Sequence, residues 1–159
     1  MVVALNPGAA AYLSEQIKLG EGFCKEYLAV VCGVPDPAEG SMRDLLFFDR
    51  KRGKSFVVDR MRRGVKDARL DYRTLASSDS ERGTLSVVKI RLHTGRTHQI
   101  RVQFSHRHVP LFGDRRYGGC SGRNVALWSC RLSFRRPSDG ATVTVTCDPP
   151  GVFPWTLFE

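Results

Sequence analysis

Between positions 85 and 104 the chain changes its hydrophobic period. Leu85-Ser86-Val87-Val88-Lys89-Ile90-Arg91-Leu92 alternates like a half-buried strand, whereas Ile100-Arg101-Val102-Gln103-Phe104 carries its apolar residues at helical spacing. Gly95 falls where one period gives way to the other. The pattern predicts a strand, a glycine turn and a helix capped by a threonine, with backbone N–H groups and a positive dipole end facing whatever lies in front. Arg96, His98 and Arg101 lie in the same stretch, so the expected ligand is anionic.

Elsewhere the pattern gives more elements of both kinds. Residues 7–19 open with a proline suited to a first helical turn and put Ala10, Leu13 and Ile17 on one face, predicting a helix that ends near Gly20 or Gly22. Lys25 to Gly33 is almost continuously apolar, as a strand buried on both faces would be. Residues 41–65 read as short extended pieces around a basic loop. A strand over 67–76 turns through 77–83 into the strand of the opening stretch as a hairpin. Two last strands, 126–134 and 142–146, are joined by Pro137-Ser138-Asp139-Gly140. Strands and helices in irregular order, linked by hairpins, predict an α+β fold with a mixed, largely antiparallel sheet and a few helices, in one domain over 1–159.

Charge narrows the function. Twenty-five Lys and Arg against sixteen Asp and Glu leave a formal net charge of +9, the footprint of a nucleic-acid binder. No apolar run approaches the roughly 20 residues needed to span a bilayer, and Met-Val-Val-Ala-Leu-Asn is no signal peptide, so a cytoplasmic chain without membrane contact is expected. The five cysteines have no CxxC spacing and are odd in number, which predicts reduced, mostly buried thiols. The four histidines form no zinc pattern, and no metal is expected. Gly53-Lys54-Ser55 imitates a phosphate loop, but Phe48 stands where its first glycine is required.

Thr94-Gly95-Arg96-Thr97-His98-Gln99-Ile100-Arg101, followed by Pro110-Leu111-Phe112-Gly113-Asp114 and Tyr117-Gly118-Gly119, resembles the carboxyl-terminal signature of the RluA-type RNA pseudouridine synthases. Lys25-Glu26-Tyr27-Leu28-Ala29-Val30-Val31-Cys32-Gly33 resembles the tyrosine-bearing strand of the same family, in the correct order. The resemblance implies a cofactor-free isomerisation of uridine to pseudouridine in rRNA or tRNA. In that chemistry a flipped nucleotide is held while an aspartate works at the sugar, a tyrosine lies against the base and an arginine pairs with the aspartate. Residue by residue it makes Tyr27 and Arg101 the catalytic candidates, and assigns Lys25, Arg96, Thr97, His98 and Gln99 to RNA binding. It further implies that Tyr27 and Arg101 border one positively lined hollow. Asp114 reads as a turn or capping aspartate.

One part of the family pattern is missing. The aspartate is carried in a His-Arg-Leu-Asp segment, and Met1-Val2-Val3-Ala4-Leu5-Asn6-Pro7 resembles the strand that follows it, so that segment is expected just ahead of residue 1. The reading is therefore a catalytic domain truncated at its amino terminus, with an open sheet edge prone to pair with a second copy. Arg69-Leu70-Asp71-Tyr72-Arg73-Thr74 imitates the missing segment and makes Asp71 a weak surrogate, although it follows the tyrosine strand instead of preceding it. The alternatives are a non-catalytic, basic RNA-binding remnant of the fold and a basic α+β nucleic-acid-binding module of another kind. Arg107 stands where the family shows a glycine, so a different end to the helix is expected.

Overall fold

A computed structural model of the chain describes residues 2–120 and 122–158. Helix α1, Pro7–Leu19, begins at Asn6, whose side chain accepts from the Ala9 N–H at 2.8 Å, and stops at Gly20, whose left-handed backbone (φ 72°) no β-carbon opposes. Seven strands follow: β1 Phe23–Cys32, β2 Glu39–Asp49, β3 Lys54–Val58, β4 Val65–Ser80, β5 Gly83–Leu92, β6 Leu127–Arg135 and β7 Thr142–Thr146. They form one antiparallel sheet in the order β3-β2-β4-β5-β1-β6-β7. Helix α2, Gln99–His106, lies between β5 and β6 in the chain. The α+β architecture expected from the pattern is the one observed.

β1 sits between β5 and β6, and both of its faces are covered. Ala29 and Val31 pack with Met42, Leu70, Ile90, Ile100 and Phe104, while Val30 packs on the other face with Leu85, Val87, Phe112 and Trp155. That double cover is why the segment is apolar without alternation. α1 packs on the α2 side of the sheet, held by Gln16. Its amide donates to the Arg135 carbonyl at 2.9 Å and accepts from the Arg135 N–H at 2.8 Å, extending the edge of β6 by one side chain. No helix of the described residues is long and apolar enough to cross a membrane.

Several expectations need correction. Residues 2–4 form no strand; they run as irregular chain beside α1, and Met1 lies outside the described residues. β4 continues to Ser80 because its polar residues find partners across the hairpin, Ser77 with Ser86 at 2.8 Å and Thr84 with Asp79 at 2.7 Å. The thiols are not all reduced: Cys32 and Cys120 are disulfide-bonded across 88 residues, leaving Cys24, Cys130 and Cys147 free. The end of β1 abuts the turn after Tyr117, a proximity that sequence spacing does not reveal. α2 ends at His106, and His108 takes the left-handed conformation (φ 61°) that a glycine would supply, while Arg107 reaches Asp44 at 2.9 Å.

Candidate active-site groove

The turn between β5 and α2 is built on one buried amide. No threonine caps α2: its N-cap is His98, left-handed at φ 56° and without a side-chain cap. Gln99, 3% exposed, does the work from inside the helix. Its Oε1 accepts from the Arg96 N–H at 3.0 Å and the Thr94 hydroxyl at 2.8 Å, and its Nε2 donates to the Arg69 carbonyl at 3.1 Å. Thr94 Oγ1 in turn accepts from the Arg69 N–H at 2.8 Å. The turn is thus clamped to β4, and Gly95, Arg96 and Thr97 are presented outward. Arg96 is steadied by a 2.7 Å bond from Nε to the Asp67 carbonyl.

Arg101 faces away from that turn, toward the 3-10 segment Arg115–Tyr117. Its guanidinium grips Asp114 bidentately, both bonds 2.7 Å, over a carboxylate that is wholly buried. The Asp114 hydrogen bonds raise the Arg101 pKa, and the guanidinium also stacks over the Tyr117 ring at 5.0 Å. Asp114 does cap the 3-10 segment, accepting from the Tyr117 N–H at 3.3 Å, so the capping role expected of it is joined by an ion pair. Tyr117 closes the network. Its phenol oxygen accepts from the Ser55 N–H at 2.7 Å and lies 3.0 Å from His98 Nδ1. Burial, then the charges of Arg101 and Arg116, push the His98 pKa down and favour the neutral imidazole.

Three hollows adjoin on the sheet face that carries α1 and α2. The first, about 650 Å³, lies under the β2–β3 loop and is lined by Phe48, Arg50, Lys51, Lys66, Arg96 and Thr97, with Gly95 at its rim. The second, about 280 Å³, also contains Gly95 and brings in Lys25 and His93. The third, about 510 Å³, shares Lys25 and is lined by Tyr27, Ser129 and α1 residues, among them Leu13 and Ile17, with Val2 and Ala4. Gly95 links the first two: a β-carbon there would stand 3.4 Å from Lys25 Nζ. Lys25 and Tyr27, two residues apart on β1, point into the same groove.

The groove collects some of the expected site residues and not others. Tyr27, Lys25, Arg96 and Thr97 line it; His98, Gln99 and Arg101 lie behind its wall. Arg101 is not among the residues lining the Tyr27 hollow, and its carboxylate partner is Asp114, thirteen residues along the chain, so no vacant partner position is seen at that guanidinium. Tyr27 nevertheless packs against the cluster containing Ile100 and Phe104, on the face that carries Arg101's helix. The Tyr27 phenol is pushed up by burial against the opposing pull of a hydrogen bond with Ser129. Burial pushes the Lys25 ammonium down. Among the described residues, no acidic side chain lines the Tyr27 hollow. Asp71 is not in it: burial raises its pKa, but the hydrogen bonds from Ser41 and His93, each 2.5 Å, outweigh that and the net shift is down. Ser55 and the role of Tyr117 were not signalled by spacing; only the Asp114-x-x-Tyr117 register hinted at the second.

The family model described as RNA pseudouridylate synthase matches residues 1–106. The chain is 27% identical to the chloroplastic RNA pseudouridine synthase 2 of Oryza sativa subsp. japonica, covering 100% of this chain and 41% of that protein. It is 32% identical to an uncharacterized RNA pseudouridine synthase of Mycobacterium tuberculosis, covering 94% and 48%. The chain therefore spans less than half the length of either relative. The structure of human RNA Pseudouridylate Synthase Domain Containing 1 superposes with a TM-score of 0.76 at 26% identity, covering 94% of this chain and 64% of the other. With the family model matching two-thirds of the chain and the tyrosine strand and Arg-Thr-His-Gln turn meeting at one groove, the chain belongs to the RluA-type RNA pseudouridylate synthase family.

Proposed function

We propose that the chain is the larger part of the catalytic domain of an RNA uridine isomerase acting on rRNA or tRNA in the cytoplasm. The observation that carries this reading is the shared lining at Gly95 and Lys25, by which a cationic hollow, the small hollow beside it and the Tyr27 hollow adjoin in one groove. A polyanionic strand tracks the cations Arg50, Lys51, Lys66 and Arg96, and a base turned out of the strand enters against Tyr27. The raised phenol pKa keeps Tyr27 protonated at neutral pH, able to stack on the uracil and to donate a hydrogen bond. In the isomerisation the bond from the ribosyl carbon to N1 breaks, a bond to C5 forms, and the C5 proton leaves while N1 gains one. Among the described residues no carboxylate lines the Tyr27 hollow, and the one this chemistry requires is assigned by the family resemblance to a His-Arg-Leu-Asp segment that the 159 residues do not contain. Arg101 then supports the site through Asp114 and Tyr117 rather than by direct contact.

Loss of the C5 hydrogen gives a direct assay, tritium release from RNA labelled at uridine C5. The 159-residue chain is expected to bind RNA with affinity that falls steeply with salt and to release no tritium. A chain extended upstream through the aspartate segment is expected to release it, and Tyr27→Phe in the longer chain to abolish release while retaining RNA. Salt-sensitive binding with no release from the extended chain on any cellular RNA would leave the non-catalytic remnant as the correct reading. Sedimentation of the 159-residue chain tests self-association: β3 and β7 are edge strands, and pairing through one of them would give a homodimer.

A further inference from the structure

Near its end β2 carries two neighbouring phenylalanines that the sheet treats differently. Phe47 and its cross-strand partner Phe56 share one face, and each ring has a cation over it, Arg62 at 5.3 Å from Phe47 and Lys54 at 5.8 Å from Phe56. Phe48 alternates to the other face, the one that carries α2. There it follows Leu46, which is buried with Val102 and Tyr117, but Phe48 lies beyond that cluster and is half-buried. Among the described residues no cation covers its ring, and its aromatic neighbour His98 meets it edge-on, 6.2 Å between centroids.

Phe48 instead lines the hollow of about 650 Å³ under the β2–β3 loop, a size within the roughly 300–1,000 Å³ of small-ligand pockets. Register fixes the side on which the lining residues lie. Lys66 is opposite Leu46 and Ser55 is opposite Phe48, so all four share the α2 face with the turn that presents Arg96 and Thr97. The walls are tied together. The Ser55 hydroxyl donates to the Thr97 carbonyl at 2.5 Å and the Ser55 N–H to the Tyr117 phenol oxygen at 2.7 Å, which holds the Phe48 end of the hairpin at a fixed separation from that turn. The acidic residue of the lining, Asp49, is turned back into its own loop, where Oδ1 accepts from the N–H groups of Lys51 and Arg52 at 2.9 and 3.1 Å. What remains to face the space is an apolar ring in the company of Lys66 and Arg96.

Cations alone would serve a phosphate backbone and would need no ring beside them. An aromatic platform set among cations is how single strands are held, with a base stacked on the ring and the backbone along the charges. We infer that Phe48 is a stacking platform for a base of the RNA other than the uridine at Tyr27, so that the cationic hollow holds a nucleobase as well as backbone. The hollow shares Gly95 with its neighbour but neither Lys25 nor Tyr27, which assigns that base to a flanking nucleotide. A phenyl ring has no hydrogen-bonding group, so the platform contributes affinity and register along the strand without reading base identity. The inference rests on the proposed RNA groove for the identity of the ligand, not on uridine isomerisation.

The test compares fluorescein-labelled hexauridylate with a hexamer of the same ribose phosphates lacking bases, by anisotropy across a salt series. The proteins are the 159-residue chain and its Phe48→Leu and Phe48→Trp variants. The two ligands carry equal charge and differ only in what can stack. Phe48→Leu is expected to bind hexauridylate more weakly by about five-fold or more, the lower end of what one stacked base contributes, and to bind the abasic hexamer as the wild type does. The slope of log affinity against log salt should stay the same, because no phosphate contact is removed. Phe48→Trp should retain the affinity for hexauridylate, and its added indole emission should be quenched by hexauridylate and not by the abasic hexamer; this variant carries the test if Phe48→Leu fails to fold. Equal affinity of the wild type for the two hexamers, an equal loss for both in Phe48→Leu, or no base-dependent quenching in Phe48→Trp overturns the platform. None of these readouts needs turnover, so absence of tritium release from the extended chain bears on the isomerase reading only.

Discussion

Replacing Arg101 by alanine isolates the interaction that holds α2 to the segment behind the groove. The perturbation leaves Asp114, which has no exposed surface, with its carboxylate facing only the Tyr117 N–H. Removing one partner of a buried ion pair costs about 3–5 kcal/mol, mostly because the remaining charge has lost its solvation and gained nothing in return. For a domain of this size that is a fall in thermal midpoint of roughly 6–20 °C, from about 2–4 °C per kcal/mol. The reverse deletion should be milder. In Asp114→Ala the Arg101 side chain, 20% exposed, can turn toward water, and a loss of about 1–3 kcal/mol is expected. The double variant should cost less than the sum by about 1.5–3 kcal/mol. Arg101→Lys keeps the charge without the fork and should fall between wild type and alanine. Urea titrations at neutral pH followed by circular dichroism measure all four, with an unchanged m-value required for the comparison. If Arg101→Ala costs under about 1 kcal/mol, or the single losses add, the pair behaves like a surface bridge and its place in the architecture is misjudged.

Three further outcomes follow from other parts of the site. His98 has a folded pKa below its unfolded value of about 6.5, so the unfolded chain binds more protons in the window below that value, and stability should rise with pH there and be lost as pH falls through it. His98→Gln should flatten the dependence between pH 5 and 7, and an unaltered slope would exclude His98 as its source. A β-carbon at Gly113 would stand 1.9 Å from the Asn124 carbonyl oxygen, and one at Gly119 1.9 Å from that of Leu111. Alanine at either should cost more than about 4 kcal/mol, whereas Gly83→Ala, with nothing within 4 Å, should lose only the left-handed penalty of about 1–2 kcal/mol; equal losses in thermal melts would show that the contacts do not matter. Gln99→Leu strands the Arg96 N–H and should speed hydrogen exchange at that amide and weaken RNA affinity together; slow exchange with unchanged affinity would count against the clamp.

The elements legible in the sequence are those whose signal is local. Helix 7–19 announced itself through Pro7, one apolar face and Gly20, all within a single element, and the β5 alternation is local in the same way. What misled was a residue acting at a distance. The run 94–101 offers threonine as the obvious cap, yet Gln99 bends back to take the Arg96 N–H and the Thr94 hydroxyl, leaving His98 as an unaided N-cap in a left-handed backbone. The Cys32–Cys120 bond and the bidentate Arg101–Asp114 pair are likewise products of the loop after α2 folding back on the sheet, and loop closure of that kind has no period to read.

The same distinction separates the parts of the groove. Family order alone picked out Tyr27 and Arg101 and treated them as neighbours, because both are ligands of one reaction in the resemblance. In the structure they are separated by function: the guanidinium is consumed by Asp114, and the residue that meets the Arg-Thr-His-Gln turn across the groove is Lys25, through Gly95. Lys25 reaches this turn because β1 pairs with β5 in a register that sets Lys25 opposite Leu92, three residues before Gly95. A one-residue slip would turn Lys25 and Tyr27 to the opposite face, among Glu26's present neighbours Lys89 and Arg131, and would bury Glu26 in the groove instead. The apolar residues Ala29 and Val31, further along the same face of β1, forbid that slip, so the packing of the core and the placement of the site are one constraint on the strand rather than two.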